Sequence, residues 1–141
     1  MEKNTQLLKW KLCKAYFVLI DASLKYEVTF DELIAVSKVL PEDAKKIISK
    51  NNKDYNFFFL KILLSKLDEQ TLSQFKIDIA EDTISNTYEK ILEGLTLRLE
   101  SFLPYRESFK ILSQNSNFKV FNFLKLNESN CSFMFQLLDI V

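Results

Sequence analysis

Apolar residues recur along this chain at three- and four-residue steps, with no sustained alternation. Leu8, Leu12, Ala15, Leu19 and Ala22, widened by Trp10, Phe17 and Ile20, predict a first helix over about Thr5–Lys25. Thr29 and Glu32 then have the spacing of a capping box, in which the threonine hydroxyl takes the N–H of Glu32 and the carboxylate returns to the N–H of Thr29. Val28 and Leu33 stand at the two staple positions around that cap. A short second helix is predicted over Phe30 to about Lys38, a turn at Val39-Leu40, and a third helix opened by Pro41, whose missing N–H costs nothing at a first helical position. Glu42 and Asp43 fall in its first turn, where the helix dipole favours acids.

The second half continues the pattern. Asp54 is placed to cap a fourth helix through Tyr55, Phe58, Phe59, Ile62, Leu63 and Leu67, reaching about Phe75. After a restart near Glu81–Thr83, Ile84, Tyr88, Ile91, Leu92, Leu95, Leu99 and Phe102 predict one apolar face along a fifth helix. Pro104 opens a sixth, to about Gln114. Asn115-Ser116-Asn117 and Asn127-Glu128-Ser129-Asn130 punctuate two last apolar segments, Phe118–Leu126 and Cys131–Val141.

Composition sharpens this. Gly94 is the only glycine and Pro41 and Pro104 are the only prolines, so the left-handed positions of tight hairpins have no usual occupant and an all-α fold is expected. There is no histidine, which removes Ser–His–Asp and Cys–His nucleophile activation and His-ligated metals. One glycine cannot build a phosphate-cradling loop. Asp68/Glu69 and Glu81/Asp82 are sequence neighbours that diverge by about 100° on a helix, and read as solvated charges. Cys13 and Cys131 have no pairing pattern and read as reduced, buried thiols. The longest greasy run, Tyr55–Leu64, is about half of the ~20 residues a bilayer needs. The expectation is a soluble, cytoplasmic, non-enzymatic protein with neither cofactor nor metal.

Nineteen basic residues balance nineteen acidic ones, so the chain lacks the net positive charge common in nucleic-acid binders. Residues 1–54 carry 10 basic and 8 acidic side chains, a local +2. Lys46, Lys50 and Lys53, with Lys45 beside them, align at four- and three-residue steps, as a solvated face or a phosphate track.

The layout of long helix, short capped helix, turn, short helix and long helix is that of a helix-turn-helix or of a plain helical corner. The run Val28-Thr29-Phe30-Asp31-Glu32-Leu33-Ile34-Ala35 resembles the start of the DNA-binding module of the TetR family of regulators. Arg98-Leu99-Glu100-Ser101-Phe102-Leu103-Pro104-Tyr105-Arg106-Glu107 is similar to a run in alphaproteobacterial TetR-like proteins and in the related ubiquinone-biosynthesis accessory family, a TetR fold turned to lipid binding. Phe133–Ile140 resembles an aromatic-Met-Leu helix of those proteins. The chain departs from the pattern at Lys38, where the family turn usually carries glycine, at Leu40, where it carries a small polar residue, and at Lys45, where it offers a tyrosine. Glu42 and Asp43 would face the DNA backbone at the start of the recognition helix.

The resemblance implies a helix-turn-helix module over residues 1–54 and a reduced TetR-like ligand and dimerisation body over 55–141. It implies a DNA-binding transcriptional regulator, with Lys45, Lys46, Lys50 and Lys53 on phosphates. Its other branch implies a lipid- or isoprenoid-binding accessory protein, with an apolar ligand among Tyr88, Leu95, Phe102, Phe109 and Phe121. The density of apolar residues over 118–141 predicts a homodimer through that segment.

Overall fold

The described residues form seven helices. The computed structural model describes residues 2–25, 27–48, 55–81, 86–114 and 116–141, those at 2, 56–57 and 116–125 by backbone alone. The helices are α1 (Glu2–Ser23), α2 (Phe30–Ser37), α3 (Pro41–Ile47), α4 (Tyr55–Glu81), α5 (Thr87–Phe102), α6 (Arg106–Leu112) and α7 (Ser116–Ile140), with a 3₁₀ turn over Leu103–Tyr105. There is no strand among the described residues, and the fold is all-α. No helix among them is long and apolar enough to cross a membrane.

The chain divides into two compact units. The first comprises Met1–Leu63 with Tyr105–Asn122, the second Leu64–Pro104 with Phe123–Val141. In the first unit α1 packs on α2, α3 and α6. Its interior is made of apolar and aromatic side chains: Leu12, Tyr16 and Ile20 of α1, Leu33 of α2, Ala44 of α3, Phe59 of α4 and Leu112 of α6. Tyr16 and Phe59 stack at 4.9 Å between ring centroids, and the Cys13 thiol donates to the Phe59 carbonyl at 3.4 Å. Burying each such Leu or Phe contributes roughly 1.5–3 kcal/mol.

The second unit closes around Leu72 and Phe75 of α4 and Phe133 and Leu137 of α7, with Ile91 and Leu95 of α5 packed against them. At Gly94 α5 and α7 approach closely: an added Cβ would meet the buried Leu137 side chain, which would have to shift to admit it.

Three boundaries differ from those the sequence predicts. α4 runs past Phe75 to Glu81, with Phe75 fully buried on its inner face. Pro104 lies within the 3₁₀ turn, ahead of α6. Most telling, α7 passes unbroken through Asn127-Glu128-Ser129-Asn130. Half-buried Ser129 and exposed Asn130 hold the Arg98 guanidinium, so polar residues that favour a break in isolation are engaged by a partner on another helix.

Candidate functional site

The α2–α3 corner is built as its sequence dictates. Thr29 lies in the extended region (φ −87°, ψ 159°), and its hydroxyl oxygen accepts from the Glu32 N–H at 3.2 Å. The Thr29 N–H donates to Glu32 Oε1 at 3.2 Å, closing the capping box, and the hydroxyl donates to the same oxygen at 2.9 Å. Leu33 is fully buried and Val28 half-buried, as a staple requires.

α2 stops at Lys38, which takes the left-handed conformation (φ 60°, ψ 19°) and donates its N–H to the Ile34 carbonyl at 3.0 Å. That is the conformation glycine adopts without strain at a helix C-terminus, and here a lysine takes it. Val39 turns inward, Leu40 is exposed, and Pro41 opens α3. Ala44 and Ile48 anchor the third helix, leaving Lys45 and Lys46 exposed on its outer side. Glu42 is exposed and Asp43 half-buried in its first turn. Lys50, Lys53 and Asp54 lie outside the described residues. Of the restart expected near Glu81–Thr83, Glu81 is instead the last residue of α4, Thr83 lies outside the described residues, and α5 begins after Asn86.

The residues expected to line an apolar pocket fall in both units. Tyr88 is largely exposed on α5, Leu95 packs against the α4–α7 cluster, and Phe102 lies 5.0 Å from the Arg98 guanidinium carbon, all in the second unit. Phe109 belongs to the first unit, half-buried beside Tyr105 at 6.4 Å between centroids. The side chain of Phe121 lies outside the described residues. Of the C-terminal segment, Phe133 and Leu137 are core, while Phe135 is 70% exposed and Leu138 50%.

The densest polar construction is one that sequence reasoning missed. Arg98 is buried in the second unit, where its Nε donates to Asp68 Oδ1 at 2.8 Å and its Nη2 to Asp68 Oδ2 at 3.1 Å. The Nη2 also reaches Ser129 Oγ at 3.0 Å, and the Nη1 donates to Asn130 Oδ1. The Ser129 hydroxyl returns to Asp68 Oδ2 at 3.3 Å. The Phe133 ring lies 4.7 Å from the guanidinium carbon. Asp68 is therefore no solvated charge but the counter-ion of a buried, bidentate pair joining α4, α5 and α7. A signal was available: Asp68, Arg98 and Ser129/Asn130 share the helical phase of buried neighbours, Leu64, Gly94 and Phe133 respectively.

Burial sets the acid–base character of the first unit. It pushes the Cys13 thiol up to about 12 and raises the Tyr16, Tyr55 and Tyr105 phenols above their ordinary value, so none is poised to act as a nucleophile near neutral pH. Cys131 is exposed, contrary to the buried role expected of it, because α7 presents that position to the outside. Among the described residues no group of three His, Cys, Asp or Glu side chains could hold a metal ion. No protein-family model, curated protein or solved structure matches the chain.

Proposed function

We propose that this chain is a non-enzymatic, TetR-like DNA-binding regulator, with α1–α3 as its helix-turn-helix module and α3 as the element that enters the major groove. The observation that carries the reading is the α2–α3 corner. A capped short helix, a left-handed residue at Lys38 and a proline-started α3 leave Lys45 and Lys46 exposed while Ala44 is buried. Lys45 and Lys46 on α3, with Lys50 and Lys53 beyond its end at Ile47, would neutralise backbone phosphates. A homodimer through residues 118–141 would bring two such modules onto adjacent half-sites, and the exposed Phe135 and Leu138 are its natural centre.

Titration of the full chain against genomic fragments tests this. Binding should weaken steeply with salt, and replacing both Lys45 and Lys46 by Ala should reduce the log–log salt slope by about 2. Absence of retardation at micromolar protein and low salt would end the DNA reading.

A second reading has one observation in its favour. Glu42 and Asp43 place two carboxylates at the end of α3 that DNA would approach, where each would repel phosphate. On that reading the chain is a lipid- or isoprenoid-binding accessory protein, and a fluorescent isoprenoid should bind where DNA does not.

A further inference from the structure

The apolar stripe of α5 faces outward. Tyr88 is 69% exposed, Leu92 46%, Leu99 67% and Leu103, the residue that follows the helix in helical conformation, 58%. At about 100° per residue these four positions fall within about 60° of one another, and they extend over roughly 22 Å. Leu95, in phase with the row, is half-buried because it also packs on the core cluster, so the steps over 88, 92, 95 and 99 are four, three and four, those of a coiled-coil seam with Leu95 at its inner edge. The face of α5 turned to the core adjoins the row at Leu95 and carries Ile91, Gly94 and Arg98. Singly exposed leucines are ordinary, but an aligned row of this length on a charged helix is not.

What borders the row identifies its partner. On one flank lies the buried face of α5. On the other, Glu89, Glu93 and Glu100 fall within about 40° of one another and begin about 40° beyond the stripe. None of the three forms a salt bridge among the described residues.

A second copy of α5 fits this poorly. An antiparallel pair would set the two glutamate rows against each other, and a parallel pair would oppose each row to Ile91 and Arg98, which are committed to the core. An anionic membrane surface would be repelled by the same row. We propose that the α5 seam docks an amphipathic helix of another protein that presents leucine-like residues at heptad spacing flanked by lysine or arginine. Its apolar side chains would cover Tyr88, Leu92, Leu99 and Leu103, and its basic flank would meet Glu89, Glu93 and Glu100.

Two synthetic peptides of three heptads, with Leu at both seam positions and either Lys or Glu at the flanks, test this against the full chain by fluorescence anisotropy. The Lys peptide should bind about tenfold more tightly than the Glu peptide, the size expected of three exposed charge pairs. Leu99→Glu, at an exposed site where helix content should not change, should abolish binding, and Tyr88→Glu should do the same. Converting Glu89, Glu93 and Glu100 together to Lys should reverse the preference. Equal binding of the two peptides, or binding of neither, would overturn the proposal. So would a dimer that Leu99→Glu converts to monomer, which assigns the stripe to a second copy. Binding to zwitterionic vesicles in place of peptide, lost in Leu99→Glu, would assign it to lipid and overturn the proposal equally.

Discussion

The two units bury opposite kinds of chemistry with the same secondary structure. Around α1 the first unit closes on hydrocarbon and aromatic rings, with a thiol, phenols and the Ser108 hydroxyl as its polar content. The second places a guanidinium–carboxylate pair against its core and satisfies it from three helices. An apolar interior is forgiving of exchange between side chains of similar volume. A buried ion pair is directional, and removing either member leaves a charge that the interior cannot solvate. The lesson is that one fold class can specify its packing by shape in one place and by hydrogen-bond geometry in another.

The largest expected effect breaks the pair. Asp68→Ala leaves Arg98 buried without its counter-ion and should cost about 4 kcal/mol in chemical denaturation. Replacing Asp68 by Leu and Arg98 by Met together should recover most of that loss, since no stranded charge remains. A single substitution that costs less than the double would show that shape, not charge, specifies the second unit as well.

The next prediction isolates the first unit by pH. The raised groups Cys13, Tyr16, Tyr55 and Tyr105 all belong to it. Below pH 9.0 the Cys13 thiol is protonated in both folded and unfolded chains, and its preference for the folded state is fully present. Between 9.0 and about 12 the unfolded thiol ionises while the folded one holds its proton, so stability falls as pH rises through that window. The phenols add to the loss above pH 10.0. Denaturation midpoints should therefore be flat near neutrality and decline from about pH 9, and Cys13→Ala should soften the first part of the decline. A midpoint unchanged at pH 10.5 would contradict the burial of these groups.

The smallest effect has the opposite sign. Lys38→Gly relieves a left-handed residue and should stabilise the chain by about 1 kcal/mol without changing the α2–α3 corner. A loss would mean that the lysine side chain contributes there.

Much of the first unit was legible in the sequence because its signals are local. Thr29, Glu32 and Pro41 act through neighbours within one turn, and the structure places each as predicted. The second unit was less legible because its organising contacts span 30 to 61 residues. A pattern reading that sorts residues into apolar and polar treats Arg98, Ser129 and Asn130 as surface or as breaks. It accordingly predicts one inward face that includes Tyr88, Ile91, Leu92, Leu95 and Leu99, of which the structure turns Ile91 and Leu95 to the core beside Gly94 and Arg98 and leaves Tyr88, Leu92 and Leu99 exposed. The candidate DNA contacts were legible only as a stripe of charge, and half of that stripe, Lys50 and Lys53, lies outside the described residues.

The left-handed residues carry a further consequence, which concerns the unfolded chain. Leu24 and Lys38 both adopt positive φ, at 59° and 60°, where glycine would sit without strain. Each costs roughly 1–2 kcal/mol in the folded state. A side chain at either position also narrows the conformations open to the denatured backbone, which offsets roughly 0.4–1 kcal/mol of that cost. With one glycine in 141 residues, the denatured ensemble is stiffer than that of a chain of ordinary composition. Part of what holds this protein folded is thus the poverty of its alternatives, a contribution that no contact in the native structure displays.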